Sequence, residues 1–433
     1  MSHYETNAMS ELKRTLGLPM LTLYGTGMIL GAGIYSIIGK AAGRANDTLW
    51  ISFLIAAIST ALTALTYAEL ASMFPKAGAE FVYLTKAFHR RKWIGSTIGI
   101  AIALSGAATA TTVAIAFSGY LAQFIDINHL TVAVSVLILF TGLAILGTHA
   151  SAWANAIFTL IEIAGLCLII YLGFQNESFG KALSALPHAG TLSAAALVVF
   201  SFFGFENIVN LSEEANNPTR DIPRAIFISV GVSSVLYVLV SLAALALVKP
   251  NQLAESSAPL MLVAQTVSEL YGKILGIVAL FSTANTALIS MMGASRVLFG
   301  MAKSKALPSR IANVLPKRKT PWIASLLILI IALALLPIGK IEIAASISSL
   351  ATMVAFIAVN VSLIVLRFSE AHLPRPFRVP LAIGKVPIFP VLAIVFSLVF
   401  VTQFNTVVYI ITGTLLSISG AVFYYRGRKF NST

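Results

Sequence analysis

Two glycine-rich interruptions of hydrophobic segments are the residues whose types and spacing could do chemistry. The first reads GTGMILGAG at 25–33, and the second reads FFGFE at 202–206. Glycine costs about 1 kcal/mol relative to alanine inside a helix. In a bilayer, unwound backbone is tolerated only where protein or a water-filled cavity satisfies its polar groups. Two interrupted segments at corresponding places in two halves of a chain predict a secondary transporter with its binding site near the membrane midplane.

The first interruption offers partners for the two charged groups of an amino acid. Unwinding at Gly31, Ala32 and Gly33 frees N–H groups at the positive end of a half-helix, where they bind a carboxylate without a formal positive charge. Freed carbonyl groups near Ile29 could accept hydrogen bonds from an ammonium group. Close helix packing is the alternative, since small residues at this spacing also let helices approach each other. The second interruption favours the binding site.

The second interruption places Glu206 beside a predicted helix break at Gly204. A charged carboxylate in the middle of a membrane costs roughly 2.5–3.5 kcal/mol, so it usually marks a pathway, a partner or a proton site. Glu206 is therefore either a proton carrier or a fixed hydrogen-bonding strut, and both readings stay open. Phe200 and Phe203 could close over a substrate, although aromatic residues in a span more often serve packing.

Other charged and polar residues form two further groups of candidates. Glu162 has no lysine or arginine in its own span, so we expect it to be protonated, hydrated or paired with another span. Its candidate partners are in span eight: Ser282, Thr283, Asn285 and Thr286. We expect gating or structural roles at the inner side for Glu69, for ion pairs among Glu213, Glu214 and Arg220, and for Arg296.

The composition indicates an integral membrane protein. Hydrophobic residues make up 58% of the 433 residues and charged residues 10%, whereas typical soluble proteins have roughly 45–50% and 25%. This length accommodates about twelve spans of roughly 20 residues. The apolar runs predict an all-α protein with spans near 19–43, 49–72, 93–124, 130–147, 151–174, 192–213, 223–248, 271–302, 321–339, 342–366, 387–404 and 405–425.

The distribution of basic residues predicts the orientation of these spans. With a cytoplasmic N-terminus, 22 Lys and Arg residues lie on the inner side and six on the outer side. This is a strong positive-inside bias, so the net charge of +13 reflects topology and attraction to lipid headgroups rather than nucleic-acid binding. We expect cytoplasmic tails at 1–18 and 426–433, and location in the plasma or inner cell membrane.

The interrupted helices also predict the internal organisation. Each opens a block of five spans, 19–174 and 192–366, while spans eleven and twelve at 387–425 lie outside the blocks. Because span one starts inside and span six starts outside, the two blocks are inverted relative to each other. Enzyme motifs and clustered metal ligands are missing, and we expect no catalytic residue, metal or cofactor. The only cysteine, Cys167, falls within a span, so we expect no disulfide-linked partner.

Four motifs in order resemble the amino acid–polyamine–organocation (APC) transporter family, and the likeness runs from roughly residue 12 to 425. They are LGAGIY at 30–35, YAEL with PKAGAEFVYL at 67–84, FFGFE with EEANNPTRDIPRAI at 202–226, and SRVLFGMA with LP at 295–308. The resemblance implies a LeuT-like fold, with five-plus-five inverted repeats, broken helices 1 and 6, and two extra helices. It also implies sodium-independent uptake or exchange of amino acids or related amines.

By motif position, the resemblance assigns the substrate carboxylate to the amides of Ala32 and Gly33, and the amine to the carbonyls of Ile29 and Phe203. Phe200 takes the place of the aromatic lid, and Glu206 matches an acidic position of the sixth-helix motif. Two departures matter. Several proton-coupled members carry a lysine in span five where this chain has Glu162, and Ala32 lacks the hydroxyl of the family's serine.

These observations lead to three functional hypotheses. The first is proton-coupled symport of neutral amino acids by alternating access, with Glu206 and Glu162 as candidate proton sites. The second is obligate exchange of amino acids or amines. The third is a substrate sensor or structural subunit that keeps the fold without turnover.

Overall fold

The computed structural model describes residues 16–76, 79–89, 91–146, 152–212, 215–315, 318 and 320–430. Most of the described residues are helical. The helices are α1 Leu18–Ala45, α2 Leu49–Met73, α3 Ala79–Ala87, α4 Lys92–Leu121, α5 His129–Leu146, α6 Ala152–Phe174, α7 Ala189–Val198, α8 Phe205–Ile208, α9 Pro218–Leu247, α10 Pro250–Glu255, α11 Pro259–Gln265, α12 Glu269–Lys303, α13 Trp322–Leu335, α14 Ile341–Ser369, α15 Ile388–Val401 and α16 Thr406–Phe430.

Shorter elements connect these helices. Turns of 3-10 helix lie at Asn46–Thr48, Lys181–Ser184, Val199–Phe202, Val209–Leu211, Ser309–Ala312 and Leu336–Ile338. A small antiparallel hairpin, β1 Ala382–Ile383 with β2 Val386–Pro387, precedes α15. The hairpin belongs to a connection in which the sequence pattern predicted no strand.

The chain is a multi-pass membrane protein. Within the described ranges, nine helical segments are long and apolar enough to cross a membrane. One of them, Leu18–Met73, comprises α1 and α2, and Trp322–Ile338 and Ile388–Val401 are shorter apolar helices. Large hydrophobic side chains are exposed along several helices, for example at Leu139, Ile330 and Ile410. Such exposure fits helices that face lipid, because apolar side chains there replace the polar surface of a soluble protein.

The first predicted helix break is present in the structure. α1 departs from helical geometry at Gly31, where φ is −20° and ψ is −145°. The part of α1 before Gly31, which we expect to face the inner side, is called its inner half, and the part after Gly31 its outer half. A departure at this point disturbs the regular N–H to carbonyl pattern, which leaves terminal backbone groups in need of other partners.

The second predicted break is a larger interruption. α7 ends at Val198, a 3-10 turn covers Val199–Phe202, and the one-turn helix α8 begins only at Phe205. Between them Phe203 is extended, and Gly204 has φ of 127°, a conformation that L-residues rarely adopt. Span six, predicted over 192–213 with a break at this motif, is therefore interrupted at Gly204, since the glycine adopts a backbone angle that a helix cannot contain.

Helix boundaries otherwise agree with the predicted spans to within a few residues, except for spans seven and twelve. α16 runs to Phe430, so residues 426–430 of the expected tail are helical. α9 starts at Pro218 and contains Pro223 in its first turns, whereas the sequence pattern began this span at 223. Pro218 is tolerated at the first helical position because the N–H groups of the first turn have no intrahelical partner, whereas Pro223 lies in the second turn. The outer connection 249–270 also folds into α10 and α11, and the inner connection 75–92 contains α3.

The core is built from pairs of helices that lie far apart in the sequence. α2 packs against α9, α4 against α12, and α5 against α13, while α1 contacts α7, the turn after it and α8. The two interrupted helical segments therefore meet at their breaks. α14 packs along α4 and against α15, and α16 contacts α4 and α14.

Gly204 provides a test of the break. A Cβ at this position would lie 2.7 Å from both the carbonyl carbon and the carbonyl oxygen of Met28. We expect Gly204→Ala to lower the melting temperature of the purified protein in detergent, because a strained φ alone costs about 1–3 kcal/mol. Gly231→Ala is the matched control, since a Cβ there meets nothing within 4 Å. Equal melting temperatures for the two variants would contradict this account.

Candidate functional site

A single hydroxyl group joins the two breaks. Tyr237 on α9 lies 2.5 Å from the carbonyl oxygen of Ile29 and 2.9 Å from that of Ser201, and it is a donor to both. Ile29 precedes the break in α1, and Ser201 lies in the 3-10 turn of the second break. The fully buried Tyr237 therefore satisfies carbonyl groups that leave the helical pattern at both interruptions.

Small residues let the breaks come into direct contact. A Cβ on Gly33 would lie 2.5 Å from the Cα of Ser201. A Cβ on Gly31 would collide with the Thr286 hydroxyl of α12. The predicted site residues Gly31, Gly33 and Gly204 thus lie together, at the point where α1 meets the second break and α12. Ala32 continues α1 between the two glycines.

Glu206 has a defined local role. Its Oε2 accepts a hydrogen bond of 2.8 Å from the backbone N–H of Gly204. This contact stabilises the start of α8, because a carboxylate at a helix N-terminus satisfies a free N–H and interacts favourably with the helix dipole. Of the two roles expected for Glu206, this geometry favours the strut.

Aromatic rings line the second break. The rings of Phe200 and Phe203 are 6.1 Å apart in an edge-to-face arrangement, and Phe203 is 5.8 Å from Phe356 of α14. Phe200 is buried and Phe203 is partly buried. Phe356 also contacts Phe205 and Tyr67, so this wall connects α14 and α2 to the break. Sequence patterns alone identified Phe200 and Phe203 but not Phe356 or Tyr67.

Glu80, in the predicted inner connection between α2 and α4, contacts a tyrosine of this wall. Tyr67 of α2 donates a hydrogen bond of 3.2 Å to Glu80 of α3. Burial raises the pKa of the Glu80 carboxyl, although hydrogen bonds from its own backbone N–H and from Tyr67 oppose this effect. Glu80 therefore takes up a proton at a higher pH than an exposed glutamate. Glu80 also lies close enough to interact electrostatically with Glu206.

Glu162 on α6 makes no hydrogen bond with the hydroxyl and amide groups of span eight that were predicted as its partners. The residue is 2% exposed, and neither carboxyl oxygen makes a hydrogen bond within the described part of the chain. The Ser282 hydroxyl lies beside it without completing a hydrogen bond. Thr283 instead bonds back to Ala279 and Leu280 of its own helix. Thr286 contacts the α1 break, and Asn285 is partly buried on the same helix.

Four hydroxyl groups connect α4 and α14, a cluster that the sequence patterns did not identify. The Ser105 hydroxyl is 2.9 Å from Ser348 and 2.6 Å from Thr352, and Thr109 is 2.8 Å from Ser348. Hydrogen bonds between hydroxyl groups hold membrane helices together. Their helical spacing, at 105 and 109 and at 348 and 352, is the signal that could have revealed them.

Glu69 is the centre of a buried ion cluster at the inner end of α2. Its carboxylate accepts bonds from Arg367 Nε at 3.1 Å and Nη2 at 2.5 Å, from Arg375 Nη1 at 2.7 Å, and from the Val379 N–H at 2.7 Å. The side chain of Glu69 is fully buried. Glu69 thus fixes α14 and the connection after it to α2, which fits the structural role rather than an open gate.

Two of the remaining charged candidates lie at the surface. Arg296 and Arg220 are exposed, and neither forms an ion pair with another described residue. Glu213 and Glu214 lie outside the described residues. At the outer side, Lys40 donates a bond of 2.8 Å to the Ala254 carbonyl of α10 and lies 3.8 Å from the carboxylate of Glu342. The outer half of α1 is therefore attached to both α10 and α14.

The fold and the paired breaks define a membrane transport protein, and comparison with known sequences identifies its family. The sequence profile of the amino acid permease family matches residues 16–425. This chain therefore belongs to the amino acid permeases of the APC superfamily, a family of transporters rather than enzymes.

Individual relatives cover most of the chain. It is 30% identical to the branched-chain amino acid permease BcaP of Bacillus subtilis, over 98% of this chain and 95% of that protein. It is 28% identical to the methylthioribose transporter of Bacillus subtilis, over 94% and 93% of the two chains. It is 29% identical to the vacuolar cationic amino acid transporter 8 of Arabidopsis thaliana, over 79% of this chain and 61% of the relative.

Tyr237→Phe should reduce amino acid transport while the protein remains folded. Removing the hydroxyl leaves the carbonyls of Ile29 and Ser201 without their shared donor, and an unsatisfied buried acceptor costs about 1–3 kcal/mol. We expect at least a tenfold fall in transport efficiency (kcat/KM), which corresponds to about 1.4 kcal/mol. Counterflow in proteoliposomes measures it. Tyr171→Phe is the control, because Tyr171 is 57% exposed, and equal activity of the two variants would contradict the bridging role.

Glu69→Gln should destabilise the protein strongly. Breaking a buried ion pair by removing one partner costs about 3–5 kcal/mol, because the other charge stays buried and uncompensated. Here two arginines lose their carboxylate. Thermal unfolding in detergent measures the effect, and Glu269→Gln, which breaks only the exposed pair with Lys273, should leave the melting temperature nearly unchanged. A wild-type melting temperature for Glu69→Gln would exclude a structural role for the cluster.

Proposed function

We propose that this protein carries neutral amino acids across the plasma or inner cell membrane by alternating access, as a proton-coupled symporter. The observation that carries the proposal is the bridge from Tyr237 to the carbonyls of Ile29 and Ser201. It holds two unwound backbone segments face to face inside a membrane protein. Such paired breaks provide free backbone donors and acceptors for a zwitterion.

The proposed architecture has twelve spans, with two inverted repeats of five at 19–174 and 192–366, two added spans at 387–425, and both termini in the cytoplasm. Its support is the packing of corresponding helices, α2 with α9, α4 with α12, and α5 with α13. Two halves related by an approximate two-fold axis bring such equivalent helices together. The basic residues of the predicted inner connections support the orientation.

Backbone groups at the breaks form the proposed amino acid site. The amides of Ala32 and Gly33 bind the carboxylate at the start of the outer half of α1. The carbonyls of Ile29 and Phe203 accept hydrogen bonds from the amine. The Ile29 carbonyl keeps a second lone pair for this purpose, since an oxygen acceptor has two and Tyr237 occupies one. Phe200 closes over the substrate from the second break.

A neutral cargo fits the charges at this site. Glu206, the acidic residue within the second break, is already bound to the Gly204 N–H. The nearby wall consists of Phe203, Phe205 and Phe356. The branched-chain permease among the relatives supports an apolar side chain. The cationic amino acid transporters among the relatives favour a second cargo class, and substrate competition distinguishes the two.

Uptake of a labelled amino acid mixture into proteoliposomes tests the function directly. Symport predicts that an inward proton gradient raises uptake into empty vesicles, and the retained label identifies the cargo. Uptake that requires internal preloading and ignores the gradient would instead make the protein an obligate exchanger. Binding without flux in either assay would support a sensor or structural subunit.

Glu206→Gln distinguishes the two roles of this carboxyl group. We propose the strut, because the carboxylate bonds to the backbone at the break. The variant should therefore change counterflow and gradient-driven accumulation to a similar, small degree, since the glutamine Oε1 can still accept the Gly204 N–H and only the charge of the contact is lost. Glu255→Gln in the outer helix α10 is the control and should behave like the wild type. Loss of accumulation with counterflow preserved would overturn the strut and make Glu206 the proton carrier.

A further inference from the structure

Buried polar atoms without partners are concentrated around Glu162. Both of its carboxyl oxygens are unpartnered, as are the hydroxyl groups of Ser282 on α12 and Tyr35 on α1. Glu162 also lies close enough to Tyr35 and to Tyr237 for electrostatic interaction with both. Hydroxyl groups of α1, α9 and α12 therefore lie within electrostatic range of one buried carboxyl group.

Among the residues that the structure describes, no basic side chain forms an ion pair with this carboxyl group. The ion pairs formed by the described residues involve Glu69, Glu269, Glu342 and Glu370, and none involves Glu162. An isolated ionised carboxylate in an apolar interior is far too costly to persist. Glu162 must therefore bind a positive species when the protein is in this conformation.

The face of α6 that carries Glu162 extends along both halves of α1. Thr159 donates a bond of 3.2 Å to the Leu23 carbonyl in the inner half. Gly165 approaches the outer half, where its Cβ would lie 3.3 Å from the Tyr35 hydroxyl. Glu162 lies between these two residues on the same helical face, at spacings of three. Its side chain is thus positioned beside the α1 break.

A second connection reaches the break through α12. Ser282 lies beside Glu162, and Thr286, one turn further along α12, abuts Gly31. Residues four apart share one face of a helix. A change in the charge of Glu162 therefore acts on hydroxyl groups of α1, α9 and α12, and two of these helices contact the break directly.

We propose that Glu162 is the proton-binding site that couples ion movement to the amino acid site. An outer proton forms an O–H bond with one carboxyl oxygen and leaves when the site opens inward. One proton and one zwitterion cross together, so each cycle moves one positive charge. This inference rests on the proposed function and assigns its coupling ion to one residue.

The ligand set fits a proton better than a metal ion. Hard metal ions take about six or more oxygen ligands. The group around Glu162 supplies its two carboxyl oxygens and the hydroxyls of Ser282 and Tyr35. A proton needs only one carboxyl oxygen, and the resulting O–H can donate to a neighbouring hydroxyl. Ionised, the carboxylate accepts from these hydroxyls instead.

Glu162→Gln tests the site, because glutamine is neutral and nearly isosteric with protonated glutamate. The probe is the labelled amino acid that the wild-type protein takes up from the mixture. With an inward gradient of about two pH units, one coupled proton supports about 100-fold accumulation, since each unit is a tenfold ratio. We expect the variant to equilibrate the label without accumulating it, to keep counterflow, and to lose substrate-induced acidification of the vesicle interior.

Two variants act as controls. Glu269→Gln makes the same chemical change at an exposed pair on α12 and should keep full accumulation. Glu162→Asp retains a carboxyl group and should keep partial accumulation, which separates loss of the proton site from misfolding. Accumulation by Glu162→Gln at the wild-type level would overturn the inference. Loss of counterflow in Glu162→Gln would also overturn it if Glu162→Asp keeps counterflow.

The wild-type controls separate this inference from the proposed function. No flux of any kind in the wild type would reject the transporter itself. Wild-type counterflow without gradient-driven accumulation would leave an exchanger and reject a proton site at Glu162. Accumulation driven by a sodium gradient at equal pH on both sides would assign the coupling to a metal ion and also overturn the inference.

Discussion

The structure depends on one constraint: backbone that leaves helical geometry inside a membrane must find its hydrogen-bonding partners within the protein. Tyr237 meets this need for both breaks, at Ile29 and at Ser201. Because its hydroxyl has a single proton, it satisfies the two carbonyls incompletely, and these acceptors keep capacity for a cargo. The contacts of Gly31, Gly33 and Gly204 follow from the same constraint, since shared partners require the two segments to touch.

Two buried glutamates differ in whether other residues compensate their charge. Glu69 receives two arginines and a backbone N–H, and its charge fixes α2 to α14 and to the connection after α14. Glu162 receives no complete hydrogen bond from any described residue, although hydroxyl groups of α1 and α12 surround it. A compensated charge holds helices in one arrangement, whereas an uncompensated one requires a mobile counter-charge. The Glu69 cluster thus holds the end of α2 in place, whereas Glu162, inside the membrane, is left to bind and release a proton.

The sequence predicted the features that depend on local pattern. Apolar runs predicted the spans, and glycines within two of them predicted the breaks. Both signals can be read from consecutive residues. The partners of these features were not predicted. Tyr237 lies more than 200 positions from Ile29, and Arg367 nearly 300 from Glu69, and neither tyrosine nor arginine has a local spacing that reveals such a contact. Glu206 was predicted as an important residue, but its role depends on the backbone angles of Gly204.

The placement of Glu162 connects these observations. A break lets the two halves of α1 change their mutual angle without melting either half, while α2, α4 and α5 remain packed on α9, α12 and α13. A group that contacted only one half of α1 could not detect that change. The face of α6 contacts Leu23 on one side of Gly31 and approaches Tyr35 on the other. Under the proposed coupling, the charge at Glu162 and the angle between the two halves of α1 are linked, and by thermodynamic reciprocity whatever shifts one must shift the other.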